Sequence, residues 1–240
     1  MAPSNPPADL HAILQHGALE LKGQFMLGSN YTFLVNVRQD GKEVQAVYKP
    51  SQGERPLWDF PESTLAHREV AAWLVSKALG WDFVPYTVLR EDGPYGPGSL
   101  QQYIDYDPNY HYFTFSEADR ARLAPVMCFD LLCNNADRKG SHVIIEKGTG
   151  KLWLIDHGIC FHTEDKLRTV IWDFAGKAIP EALLEDISRL SLDRELLAGL
   201  EAYLSPDEIT ALVARARGLV ASRTFPLPPE DRRAYPYPPL

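Results

Sequence analysis

The segment Asn134-Asn135-Ala136-Asp137-Arg138-Lys139-Gly140-Ser141-His142, with Leu152-Trp153-Leu154-Ile155-Asp156-His157-Gly158 close behind it, decides how this chain is read. The first is a polar loop between a helical segment and a short apolar hairpin, so it must be held from both sides. The second sets an acid at the end of an entirely apolar strand. An unpaired buried carboxylate is costly, so Asp156 meets a metal, a base or a ligand there, or else it only caps the turn before Gly158.

Upstream, residues 10–16 predict a short helix and residues 19–25 alternate as a strand does. Gly28-Ser29-Asn30 punctuates, and residues 31–37 are rich in aromatic and β-branched side chains that favour a second strand. Asp40-Gly41 marks a turn, and residues 44–49 predict a third strand that Pro50 ends or pushes to an edge. Asp59 and Glu62 around Pro61 predict a helix start, with the helix running to Leu79 and stopped by Gly80. Inside it Glu69 stands at helical spacing from Leu65, Ala72 and Trp73, in the apolar stripe, where a carboxylate is rarely buried without a partner. Lys49 is the nearest cation in such an arrangement, although a strand-end lysine ordinarily faces solvent. Residues 84–90 and 99–104 add two strands, giving the order β-β-β-α-β-β.

Downstream, Ser116-Glu117-Ala118-Asp119 opens a helical segment reaching Cys133. A short hairpin turns at Gly148-Thr149-Gly150, and helices are expected near 180–189, 194–203 and 206–223. Residues 226–240 are Pro-rich with interspersed Tyr, a polyproline-like stretch able to dock on the body.

The 240 residues leave room for one large domain or two small lobes. A content of 45% hydrophobic and 11% aromatic residues excludes wholesale disorder and collagen-like or coiled-coil architectures. With 24 Lys and Arg against 32 Asp and Glu, the net charge of -8 argues against a duplex nucleic-acid binder and a general binder of anionic membranes. No stretch approaches the roughly 18–20 apolar residues of a membrane helix, and residues 1–7 carry no secretory pattern. The expectation is a cytoplasmic protein without stable membrane insertion. Cys128, Cys133 and Cys160 form no C-x-x-C pair and are expected to be reduced core residues.

Strand lysine, helix glutamate, Asp-Arg-x-x-x-His loop and Ile-Asp-His-Gly follow one another as in the protein-kinase-like fold, which the chain resembles over roughly residues 19–175. Asp137-Arg138, with His142 five residues after Asp137, is similar to the phosphatidylinositol 3- and 4-kinase branch, where the loop reads D-R-x-x-x-N and the metal motif I-D-F-G. Small stand-alone bacterial phosphatidylinositol-kinase-like proteins, HipA-type kinases and actin-fragmin kinase are similar too. The resemblance implies an α+β, two-lobed fold: an antiparallel sheet plus one helix in an N-lobe at 10–105, and a mainly helical C-lobe at 106–225. A flexible Pro-rich N-terminus at 1–9 and the Pro-rich tail at 226–240 would flank them.

It further implies an ATP-dependent phosphotransferase, since phosphoryl transfer is mainly positioning and charge neutralisation. Lys49 would contact the α- and β-phosphates, Glu69 would orient Lys49, and Asp137 would orient or deprotonate an acceptor hydroxyl. Asp156 and His142 would hold Mn²⁺ or Mg²⁺, and Arg138 would brace the loop. Gly28, Ser29 and Asn30 would form the phosphate loop, unless they are only a hairpin turn, and Gln102, Tyr103 and Ile104 would lie along the adenine.

Three positions depart from the family: His142 replaces Asn, His157 replaces Phe, and G-x-G-x-x-G is missing. An imidazole suits Mn²⁺ better than the harder Mg²⁺, so a Mn²⁺ preference is expected if His142 ligates rather than merely packing on the loop. The acceptor is left open between a protein, a lipid head group and a small molecule, Lys166 and Arg168 being a thin phosphoinositide set. Three other functions compete: a nucleotide-binding pseudokinase or regulatory module, a nucleotidyl (AMP) transferase, and a metal-dependent hydrolase built from Asp137, His142, Asp156, His157 and His162.

Overall fold

The structure, a computed structural model, describes residues 8–25, 31–52, 54–55, 57–61 and 64–240. Five strands, β1 (Ala18–Gln24), β2 (Phe33–Gln39), β3 (Lys42–Pro50), β4 (Thr87–Arg90) and β5 (Gly98–Gln102), form one antiparallel sheet in the order β1-β2-β3-β5-β4. The β2–β3 hairpin closes through Asp40 (φ 51°) and Gly41 (φ 75°), the double left-handed turn that matches strand twist. β3 therefore lies at the centre of the sheet, not at its edge. Pro50 is tolerated because it is the last residue of the strand, paired opposite Gly98. A side chain at Gly98 would fall 2.4 Å from the Lys49 carbonyl oxygen, so only glycine lets β5 approach the lysine-bearing end of β3.

Two helices join the sheet region. α1 (Ala8–His16) buries Leu10, Ile13 and Leu14 against Val35, Val37, Ala46, Tyr48 and Leu100. The carbonyls of Leu14 and Gly17 at its C-terminal end accept from the Arg90 guanidinium at 2.9 and 3.0 Å. α2 (Leu65–Ala78) begins later than the Asp59 expectation. Its first N–H groups, on Leu65 and Ala66, donate to the carboxylate of Glu54 at 3.4 and 3.3 Å, a cap supplied from eleven residues upstream. Thr64 instead turns its hydroxyl back to the Pro61 carbonyl at 2.7 Å, and Glu62 lies outside the described residues. Gly80, at φ 70°, ends the helix as expected.

The remainder is mainly helical: α3 (Glu117–Ala121), α4 (Ala124–Cys133), α5 (Glu181–Leu190), α6 (Arg194–Leu200) and α7 (Pro206–Ser222), with the two-stranded hairpin β6 (Val143–Ile145) and β7 (Leu152–Leu154). The segment expected as one helix up to Cys133 is two. Pro125 sits in the first turn of α4, has no N–H to donate and restricts the residue before it, so the chain restarts there. Ser116 does cap α3, accepting from the Asp119 N–H at 3.2 Å. Leu123, Met127, Phe129, Leu132, Leu154, Phe161 and Ile171 form a second core, and all three cysteines are buried and unpaired.

Arg68 fastens α2 to this helical part: its guanidinium donates to the Cys160 carbonyl and to Glu208 at the start of α7, both at 2.6 Å. Trp81, just beyond α2, donates to Asp186 of α5 at 2.8 Å. The Pro-rich end runs along the body, the Ala234 carbonyl accepting from the Thr169 N–H at 3.1 Å and the Pro239 carbonyl from the Gly140 N–H at 2.8 Å. The two-lobed α+β arrangement expected from the sequence is the one found. Among the described residues no helix is long and apolar enough to cross a membrane.

Replacing Glu54 by Ala should leave two α2 N–H groups without acceptors and cost about 1 kcal/mol, or roughly 2–4 °C in Tm. An unchanged melting curve would remove Glu54 from the capping role.

Candidate active site

Three elements far apart in sequence converge on one lysine. Lys49 Nζ, from the end of β3, lies 2.5 Å from Glu69 Oε1 on α2 and 3.0 Å from Asp156 Oδ1 just after β7. Glu69 is 3% exposed, so its charge is compensated here or nowhere. Its other oxygen accepts the backbone N–H of His157 at 3.0 Å, which fixes the segment carrying Asp156 against α2. Asp156 itself adopts a left-handed backbone (φ 63°), an uncommon conformation for a residue with a side chain and one held here by its surroundings.

The loop after α4 meets the same point from the other side. His142 Nε2 lies 3.2 Å from Asp156 Oδ2. Burial pulls the His142 imidazole down to about 4, so at neutral pH the ring is uncharged. Desolvation opposes ionisation of Asp156, but Lys49 and His142 outweigh it and hold the carboxyl well below the usual carboxylate range. Desolvation likewise opposes the Lys49 charge, and Asp156 and Glu69 overcome it, raising the ammonium above its ordinary value. Asp156 still exposes 48% of its side chain, so a ligand can reach it.

Asp137 behaves in the opposite way. Burial pushes its carboxyl up to about 6, against the pull of Lys139, whose Nζ is 3.0 Å from Asp137 Oδ2. The Asp137 N–H donates to Asn135 Oδ1 at 2.9 Å, which holds the loop in its turn.

Arg138 is fully buried and engages partners on three sides. Its Nε donates to Asp130 of α4 at 2.9 Å, and one terminal nitrogen donates to the carbonyls of Ile155 and His142 at 2.9 and 3.2 Å. The other terminal nitrogen lies 2.8 Å from His157 Nε2. Because arginine only donates, that imidazole nitrogen accepts, and the ring proton sits on Nδ1, 3.8 Å from Glu69 Oε2. Burial, then Arg138 and Lys49, hold His157 well below its ordinary value, so it is neutral. Thr169 completes the group, donating its hydroxyl to Asp130 Oδ2 at 3.0 Å.

Lys49, Glu69, Asp156, His142, Asp137 and Arg138 thus belong to one neighbourhood. Gln102, Tyr103 and Ile104 lie where β5 leaves the sheet, the Tyr103 N–H donating to the Gln45 carbonyl at 3.1 Å. Gly28, Ser29 and Asn30 lie outside the described residues. The five residues of the hydrolase alternative are not gathered: His162 turns its Nε2 to the Asp59 carbonyl at 3.0 Å, and His157 is committed to Arg138. Lys166 is neutralised by Glu164 and Asp59 at 2.9 and 3.4 Å. Asp130 and Thr169 escaped the sequence reading, although an acid inside the apolar run Cys128-Phe129-Asp130-Leu131-Leu132 was a visible sign of a buried ion pair.

Among the described residues no group of three or more His, Cys, Asp and Glu side chains forms a stand-alone metal centre. An ionised carboxylate with one neutral imidazole beside it does fit a cation whose other ligands are nucleotide phosphates and water.

No protein-family model matches the chain. It is 38% identical, over an alignment 267 positions long, to protein Rv2133c of Mycobacterium tuberculosis, covering 96% of this chain and 95% of that one. Among solved structures, the Helicobacter pylori proinflammatory kinase CtkA matches at a TM-score of 0.53 and 11% identity, over 88% of this chain and 94% of its own. Hydra Fam20, in a structure with sugar, matches at 0.58 and 12% identity, over 88% and 87%. At these identities the likeness is one of fold, and the fold is kinase-like.

Replacing Arg138 by Ala leaves Asp130 as an uncompensated buried charge and should cost about 3–5 kcal/mol, roughly 6–20 °C in Tm. A variant melting with the wild type would show that this pair does not hold the loop.

Proposed function

The chain belongs to the family of protein Rv2133c, and we propose that it is an ATP-dependent phosphotransferase, moving the γ-phosphoryl group of ATP to an acceptor hydroxyl. One observation carries the reading: Lys49, Glu69 and Asp156, from three separate elements, meet within 3.0 Å contacts beside Asp137, an acid whose carboxyl burial pushes up to about 6. The kinase-like fold, and a fold neighbour that is itself called a kinase, agree with it. Asp-Arg-x-x-x-His and Ile-Asp-His-Gly favour the phosphatidylinositol 3- and 4-kinase-like type.

In this reading the Lys49 ammonium neutralises the α- and β-phosphates and Glu69 keeps it extended toward them. Asp156, with His142 beside it, would hold Mg²⁺ or Mn²⁺, which supplies charge neutralisation across the phosphates. His142 tilts the choice toward Mn²⁺. Gln102 to Ile104 take the adenine side, and Gly28, Ser29 and Asn30 cover the phosphates. Residues 10–105 act as the nucleotide lobe and 106–225 as the acceptor lobe. The acceptor oxygen bonds to the γ-phosphorus as the bond to the β,γ-bridging oxygen breaks; ADP leaves with that electron pair, and the hydroxyl proton passes to the Asp137 carboxylate. Arg138 holds Asp137 in place without touching the reactants.

ATP with Mn²⁺ or Mg²⁺ at about 100 times its dissociation constant should stabilise the protein by roughly 2.7 kcal/mol, or about 5–11 °C in Tm. EDTA, Asp156→Ala and Lys49→Ala should each abolish most of that shift. No nucleotide shift under any metal condition would overturn the reading.

Asp137 also gives the reaction a pH signature. Its carboxyl must be ionised to accept a proton, so ADP release should climb as pH rises through about 6 and level off above it. The same raised value means that folding favours the protonated acid: its stabilising contribution is full below about 4 and lost as pH passes through the folded value. Asp137→Asn should therefore be inactive yet more stable at pH 7.5, by roughly 1–2 kcal/mol after allowance for solvent. A rate flat from pH 5 to 8 would remove Asp137 from the chemistry.

A further inference from the structure

We infer that the cavity walled by the Pro-rich C-terminal segment is the acceptor site, and that it takes a neutral saccharide. The inference rests on the phosphotransferase reading and names its substrate class. The cavity measures about 590 Å³, enough for one or two sugar rings, and lies between Tyr112, Phe113 and Arg120, the segment from Val170 to Asp173, and the chain's last residues. Phe113, one of its walls, packs so tightly on the catalytic loop that a side chain at Gly140 would fall 2.8 Å from its ring. The carbonyl of Pro239, another lining residue, accepts the N–H of the same Gly140 at 2.8 Å, three residues along from Asp137.

The chemistry of the lining selects the ligand. Phe113, Trp172, Tyr235 and Tyr237 supply aromatic surfaces whose electron-rich faces attract the polarised C–H bonds of a pyranose. Among the lining residues the two charges, Arg120 and Asp173, cancel and stand 3.6 Å apart, too long for a full hydrogen bond. Arg120 lies over the Tyr112 ring at 4.8 Å. Asp173 receives the Tyr112 hydroxyl on Oδ2 at 2.7 Å, while its Oδ1 keeps capacity to accept from a ligand hydroxyl. Balanced charge gives no preference for an anionic head group, and ring faces beside one donor and one acceptor match a polyol ring. The sugar hydroxyl oxygen then bonds to the γ-phosphorus, ADP departs, and the proton passes to Asp137.

The test is saturation-transfer NMR on the full chain with glucose, maltose and trehalose, alongside glucose 6-phosphate and a Pro- and Tyr-rich peptide. At least one neutral sugar should show transfer, and its dissociation constant should rise about tenfold in Tyr235→Ala and in Asp173→Asn. Tyr237→Ala, at a position 80% exposed, repeats the test where folding is not at stake. No transfer to any neutral sugar, transfer that all three substitutions leave unchanged, or stronger binding of the peptide or the phosphorylated sugar would overturn the inference. The ATP thermal shift on the same sample separates the two claims: sugar failure with the shift intact defeats only this one, and loss of the shift with sugar binding intact defeats the phosphotransferase reading.

Discussion

A buried guanidinium must find an acceptor for its donors or the fold loses several kcal/mol, and Arg138 meets that demand by joining α4, the loop after it and the segment beyond β7. Asp130 anchors it to α4, the Ile155 and His142 carbonyls bind it to the strand end and the loop, and His157 links it toward Glu69. The positions of Asp137 on one side and Asp156 on the other are thus set by the same planar group. The imidazole at 157 follows from this constraint. An aromatic hydrocarbon at that position would fill the space against Phe129 but offer Arg138 no acceptor.

The second joint is Lys49 with Glu69 and Asp156, and it depends on α2 staying where it is. Arg68, one residue before Glu69, ties that helix to the Cys160 carbonyl and to Glu208. Glu208 also closes the capping box at Ser205, so the start of α7 and the register of α2 are fixed together. The lysine pair is therefore built by helix packing rather than by the pair's own attraction, which suits a cation that has to exchange its partners for phosphate oxygens.

Two carboxylates a short way apart are driven in opposite directions, Asp137 upward by burial and Asp156 downward by Lys49 and His142. Such divergence is how a single site keeps one acid permanently charged and another able to take a proton near neutral pH. The cost is local stability, since Asp137 is held in surroundings that disfavour its charge.

From the sequence alone came the succession of strands and helix along the first lobe, the helix that carries Glu69, and the acids of both loops, because alternation, helical spacing and an acid ending an apolar strand are local signals; the pairing of β5 between β3 and β4 came from the tertiary structure. The sequence also paired Lys49 with Glu69, by asking what a carboxylate in an apolar stripe requires. It misplaced the start of α2 because the cap comes from Glu54 in a preceding loop, and it ran α3 and α4 together across Pro125. Asp130, Thr169 and the role of His157 were decided by tertiary structure alone. So was the place of the Pro-rich end beside Gly140. Each of these depends on which buried donors face which acceptors after residues up to a hundred positions apart have packed together, and no local pattern encodes that.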